Sequence, residues 1–228
     1  MRALIVEHER ATPGGYVTRW LDDRGAEIDV LQIDVEETAP DPRDYDLIVP
    51  LGSEFAAYDD GIPWLAREKR LLGGAAAADV PVLGLCFGAQ LLARLSGGAA
   101  WRAERSEIGW LPVRTEDPDL VPPGPWFQWH FDTFSLPPGA RLIADSPVGP
   151  QAYVVGRSLG VQFHPEVTTE IMEDWVRVYR HELDADGVDP DALLEETYRR
   201  ESDTRAAAYK LFDAFADRIA RPESVHGR

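Results

Sequence analysis

Val80-Pro-Val-Leu-Gly-Leu-Cys86-Phe-Gly-Ala-Gln90-Leu-Leu-Ala-Arg-Leu-Ser-Gly-Gly98 reads as a buried strand that turns through one sharp residue into an amphipathic helix. Val80, Val82, Leu83 and Leu85 form a short apolar run suited to a central parallel strand. Leu91, Leu92 and Leu95 then recur at helical spacing until Gly97-Gly98 ends the pattern. Cys86 stands at the corner. Gly84 and Gly88 lie two positions to either side, where a Cβ would crowd strand and helix as they pass. A thiol at a helix N-terminus meets unpaired amides and the positive end of the dipole, which favour the nucleophilic thiolate. A lone cysteine in an apolar strand is ordinarily a small core residue. A core residue, however, needs neither the two glycines nor a helix that starts immediately after it.

A nucleophile of this kind needs a base, and the base needs a group to orient it. The chain offers five histidines: His8, His130, His164, His181 and His226. His164 ends the apolar run Leu159-Gly-Val-Gln-Phe163 and is followed by Pro165 and Glu166. Proline cannot continue a central strand, so the chain leaves the sheet there, with His164 and Glu166 projecting near its C-terminal edge. The carboxylate would fix the imidazole tautomer. With no asparagine in the chain, a Cys-His-Asn set is excluded and Glu166 is the natural third member. His130, with Asp132 two residues on, is the rival base. His8 follows the apolar run Ala3-Leu-Ile-Val6, in a loop that would border a site at the strand ends. Most residues in such a loop are simply exposed.

Gly84-Leu-Cys86-Phe-Gly88-Ala-Gln90, followed by Gln162-Phe-His164-Pro-Glu166, resembles the class I (triad) glutamine amidotransferases. The likeness is closest to stand-alone proteins similar to the glutaminase domain of GMP synthase, and it covers roughly residues 1 to 170. It implies an α/β fold: a flavodoxin-like open sheet, mostly parallel with antiparallel edge strands and helices on both faces. It also implies a Cys86-His164-Glu166 triad and an oxyanion hole formed by the amides of Gly52 and Phe87. The stretch Trp126-Phe-Gln-Trp-His130-Phe131-Asp132 matches the family's Trp-His-x-Asp region. By that resemblance the backbone about His130 and Phe131 holds the substrate's amino-acid head, Asp132 pairs with its ammonium, and Gln90 assists. One departure stands out. Leu51-Gly52-Ser53 stands where the family typically has Gly-Gly-Pro, with Gly52 matching the second glycine.

The rest of the chain bounds the function. Forty acidic against 23 basic residues give a net charge of −17, which disfavours nucleic acid and anionic membrane as partners. One cysteine allows no internal disulfide, as in a reducing cytoplasm, and the opening apolar run is too short for a signal peptide. No run reaches membrane-span length. Neither His-Glu-x-x-His nor paired cysteines occur, so no metal and no cofactor is expected. Residues 1–170 read as one amidotransferase-like domain. Within it, strands are expected at 28–33, 45–50, 107–113, 141–144, 151–155 and 159–163, and helices at 13–24 and 63–78. Residues 171–228 read as a helical extension packed on the same domain, with helices over 169–183 and 191–219 joined by Asp184-Ala-Asp-Gly187. That extension is an amphipathic packing element or a docking surface for a partner enzyme or a second copy. No Walker loop and no Ser-Gly-Gly-x-Asp-Ser motif is present, so the ATP-using half of GMP synthase is absent from this chain. Three readings stay open: an amidotransferase subunit passing ammonia to a synthetase, a hydrolase of glutamine or another γ-glutamyl amide or peptide, and a catalytically silent binding module.

Overall fold

The structure, a computed structural model, describes residues 1–221, so His226 lies outside the described residues. In chain order the first half contains β1 (Arg2–Glu7), α1 (Gly15–Asp22), β2 (Glu27–Gln32), β3 (Leu47–Pro50), α2 (Leu65–Ala77), β4 (Leu83–Leu85) and α3 (Phe87–Leu95). Six strands follow: β5 (Ala100–Leu111), β6 (Arg114–Thr115), β7 (Trp126–Phe134), β8 (Arg141–Asp145), β9 (Pro150–Val155) and β10 (Ser158–Val161). α4 (Thr169–Val178), α5 (Arg180–Asp186) and α6 (Pro190–Phe215) come next, and a short helical turn over Ala216–Ala220 follows α6.

Continuous apolar runs such as Ala3–Val6 and Leu47–Val49 can be buried on both faces only between two helical layers, and this is where they lie. β1 pairs in parallel with β2 on one side and β3 on the other. A single parallel bridge from Ile48 to Val82 carries the sheet on to β4, which pairs in parallel with β10. β9, β8 and β6 then continue it antiparallel. The order β2-β1-β3-β4-β10-β9-β8-β6 is the parallel sheet with an antiparallel edge that the sequence implies. Alternate residues of β1 face opposite layers. Ala3 and Ile5 pack with Tyr16, Val17 and Trp20 of α1 and with Leu211, Phe212 and Phe215 of α6; Leu4 and Val6 pack with Leu65 and Leu72 of α2 and Leu91 and Leu92 of α3.

Two expectations are corrected. The strand expected at 107–113 is longer: β5 begins at Ala100 and forms a separate two-stranded antiparallel arm with β7, with a register shift between Arg102 and Glu107. Its first half is polar because neither face is covered by the core. The single helix expected over 169–183 breaks at Tyr179 into α4 and α5. α5 runs through most of the expected connector and stops at Gly187, whose φ of 72° is the left-handed conformation glycine adopts freely. Asp189 caps α6 through its carboxylate, which accepts from the amides of Asp191 at 3.0 Å and Ala192 at 3.4 Å.

Candidate active site

The ends of β1, β3, β4 and β10 converge at one edge of the sheet, and the corner after β4 is the sharpest turn there. Cys86 has φ 49° and ψ −104°, a conformation a non-glycine residue adopts only under strain. The corner closes because both neighbouring glycines lack a side chain. A Cβ on Gly84 would sit 2.8 Å from the Gly88 backbone, and one on Gly88 would sit 2.2 Å from the carbonyl oxygen of Pro50. The amide of Cys86 donates to Val161 O at 2.8 Å, which fastens the corner to the end of β10.

Three residues beyond β10, His164 brings its Nδ1 to within 2.8 Å of Glu166 Oε1. Its Nε2 lies 3.4 Å from Trp129 O, and the ring adjoins Cys86. Burial opposes a charge on this ring, but the Glu166 carboxylate and Cys86 together outweigh it and push the imidazole up to about 10. Trp175 packs edge-on against the ring at 4.9 Å. The backbone of Glu166 is itself anchored, since Tyr16 at the start of α1 donates its amide to Glu166 O at 2.8 Å. Gly15 makes room for that bond: a Cβ there would fall 2.1 Å from the same oxygen.

Gly52 faces both groups. A Cβ on it would lie 3.0 Å from His164 Cε1 and 3.7 Å from Cys86 Cβ. Phe87 begins α3, so its amide has no partner within the helix. Gln90, one turn into α3, donates Nε2 to Gln162 Oε1 at 3.1 Å, and Gln162 Nε2 donates to Cys86 Sγ at 3.5 Å. Gln162 is fully buried. The motif quotation included it, but sequence reasoning gave it no role.

His130 is also buried, yet both its nitrogens are engaged elsewhere. Nδ1 lies 3.0 Å from Asp132 O, and Nε2 lies 3.1 Å from Gln128 Oε1 and 3.2 Å from Glu107 Oε2. His164, rather than His130, is brought against the thiol. Asp132 accepts from the Tyr58 hydroxyl at 3.1 Å and lies 4.0 Å from Arg102, and partial burial raises its carboxyl above the usual range. Arg102 stacks on Phe131, 4.5 Å from the ring centre. His181 is exposed on α5.

These groups share one cavity, lined by Cys86, Gln90, His130, Phe131, Asp132 and His164. Trp175, Tyr179 and Glu182 from α4 and α5 close its other side. Sequence reasoning left those helices outside the site, and no local pattern marks them. Their signal is proximity, since α4 starts three residues after Glu166. The Trp129 indole donates to Glu182 Oε2 at 2.7 Å, joining that wall to β7. Among the described residues no cluster of three or more His, Cys, Asp or Glu side chains could hold a metal ion. No described helix is long and apolar enough to cross a membrane.

Comparison with known proteins gives a consistent family. The model of the glutamine amidotransferase class-I family matches residues 16–176. The glutamine amidotransferase-like protein YfeJ of Salmonella typhimurium is 29% identical over 207 residues, covering 82% of this chain and 85% of YfeJ. The glutamine-hydrolyzing GMP synthase of Aeropyrum pernix is 33% identical over 129 residues, which is 51% of this chain but only 25% of the synthase. Among solved structures, a glutamine amidotransferase of Thermotoga maritima superposes with a TM-score of 0.87 at 30% identity, covering 95% of this chain and 98% of that one.

Proposed function

The chain belongs to the class I glutamine amidotransferases, and on that premise we propose that it hydrolyses the side-chain amide of glutamine through a Cys86-His164-Glu166 triad. The observation that carries this reading is the strained Cys86 corner sharing one cavity with His164, whose Nδ1 lies 2.8 Å from Glu166.

In the first step the Cys86 thiolate adds to the amide carbon, and the amides of Gly52 and Phe87 receive the oxyanion. Protonated His164 gives its Nε2 proton to the departing nitrogen, so ammonia leaves and a γ-glutamyl thioester remains. Neutral His164 then takes a proton from water, the hydroxide adds to the thioester, and collapse returns glutamate and the thiolate. Glu166 keeps the ring oriented throughout and balances its charge. Gln162 supports the sulfur by donating to it, and Gln90, Asp132 and the backbone about His130 and Phe131 hold the amino-acid head. An ammonia-accepting synthetase is the natural partner, by analogy with the GMP synthases of which this chain matches about a quarter.

The outer cavity favours a second reading with the same triad, a γ-glutamyl amide or peptide hydrolase. Phe55, Tyr179, Glu54 and Glu182 line space beyond the nucleophile that a departing ammonia does not need. The test is glutamate release by the purified protein from glutamine and from a panel of γ-glutamyl amides and peptides, run beside Cys86→Ala. We expect release that Cys86→Ala abolishes, with the best substrate choosing between the two readings. Normal activity in Cys86→Ala would overturn both. Silence of the wild type together with no labelling of Cys86 by a glutamine-like electrophile would leave a binding module.

A further inference from the structure

Gly52, the proposed oxyanion donor, cannot carry a side chain, because a Cβ there would press on His164 at 3.0 Å. Glycine is also the residue with the most backbone freedom to lose, and Ser53 supplies no proline restraint after it. The loop must therefore be held from outside. Each peptide is planar, so fixing a carbonyl fixes the direction of the N–H across the same plane. Leu51 O accepts the Gly88 amide at 3.1 Å, which sets the Gly52 N–H. Gly52 O lies 2.9 Å from His8 Nδ1, which sets the next peptide and with it the two torsions of Gly52.

His8 is in turn held by Glu68 of α2. Nε2 is 3.0 Å from both carboxylate oxygens, and both side chains are fully buried. A carbonyl oxygen only accepts, so Nδ1 carries a proton while Nε2 faces the carboxylate. The ring sits between Trp64 at 5.0 Å and Phe87 at 4.7 Å, and Phe87 supplies the other candidate oxyanion amide. One imidazole thus touches both halves of the oxyanion hole from behind. We infer that His8 and Glu68 are a positioning pair that clamps the Gly52 loop in the geometry the oxyanion requires. This rests on the reading of Gly52 and Phe87 as oxyanion donors. Glu9 extends the clamp by one residue: its Oε1 accepts from the Ser53 hydroxyl at 2.6 Å and the Glu54 amide at 3.2 Å.

The test uses the full chain carrying His8→Leu with Glu68→Leu, which removes the pair without leaving one charge buried alone. Three quantities are read: glutamine hydrolysis, the rate of Cys86 alkylation by iodoacetamide, and amide hydrogen exchange over residues 51–55. We expect kcat to fall about 10- to 100-fold, less than or near the loss of one oxyanion donor, with KM within about twofold. Alkylation proceeds by displacement and forms no oxyanion, so its rate should hold, while exchange over 51–55 should rise. His8→Asn with Glu68→Gln, whose side-chain amide can stand where Nδ1 stood, should recover most of kcat. Unchanged kcat and exchange would overturn the clamp, as would an equal loss of kcat and alkylation. If the leucine pair does not fold, His8→Asn against His8→Gln decides: only the first keeps a donor on Gly52 O, and equal activity of the two overturns the inference. If the wild type hydrolyses no γ-glutamyl amide and Cys86 takes no label from a glutamine-like electrophile, the proposed function falls, and exchange over 51–55 alone judges the clamp.

Discussion

Two buried imidazole–carboxylate pairs adjoin Gly52. His164 and Glu166 are 2.8 Å apart, and His8 and Glu68 are 3.0 Å apart. Their chemistry is the same, but their third partners differ. The His164 ring adjoins the Cys86 thiol, whereas the His8 ring turns Nδ1 to a backbone carbonyl. A third pair, His130 with Glu107 at 3.2 Å, meets side-chain amides and a backbone oxygen. Burial beside a carboxylate therefore does not mark a catalytic base. What else each ring adjoins is what separates the proposed proton carrier from the proposed loop clamp and from a pair that ties strands together.

Cutting each pair tests this ranking. His164→Gln should cost the most, lowering kcat by about 1,000-fold or more with the fold retained, since it removes the proposed acid and base together. A loss no greater than that of the His8 variants would erase the distinction between the two pairs. Gly52→Ala should lower kcat by about 10- to 100-fold, because the new methyl meets His164 Cε1 and displaces the proposed donor amide; steady-state kinetics beside a thermal melt would check it.

Glu166→Gln sharpens the comparison through pH. His164 is raised from 6.5 to about 10, with Glu166 the leading cause opposing desolvation. The protonated ring that the first step needs then persists to the alkaline side, so the basic limb of kcat/KM should lie near pH 10. Removing the Glu166 charge should move that limb towards neutrality, and a pH profile that does not move would detach Glu166 from the base. The same sign governs stability. Because the folded-state value is the higher one, the pair's contribution is complete below about pH 6.5 and is lost as pH climbs through about 10. Glu107→Gln should have the smallest effect on turnover, within about twofold. Weakening the bonds to Ser146, Gln151 and His130 should cost about 1–3 kcal/mol, a fall in Tm of roughly 2–10 °C by calorimetry.

The first of these pairs was legible in the sequence and the second was not, for a physical reason. Glu166 is two residues from His164, and Pro165 between them announces a strand end. Glu68 is 60 residues from His8, and only the packing of α2 on the sheet brings them together. One signal was available. Leu65, Glu68, Leu71, Leu72 and Ala75 are all buried on α2, so Glu68 occupies an apolar position, and a carboxylate there requires a partner. The elbow itself was legible because Gly84 and Gly88 are required by steric contacts within a few residues. The Tyr179 break and the wall formed by Trp175, Tyr179 and Glu182 were not. No glycine or proline marks the break, and the tertiary surroundings alone turn those side chains into the cavity.

The sheet's strand order has a consequence for how the molecule comes together. β8, β9 and β10 are joined by short connections and pair antiparallel in chain order, so they can assemble from local contacts. β4 pairs with β10 across a long stretch of chain; Gln162 and Cys86, which meet at this junction, are 76 residues apart. Closing that long loop is the entropically expensive event, and it joins the parallel half of the sheet to the antiparallel half. Cys86 lies at the end of one half and His164 at the end of the other. The thiol meets its proposed base only when the halves dock, so on that reading a chain caught before docking carries an ordinary cysteine.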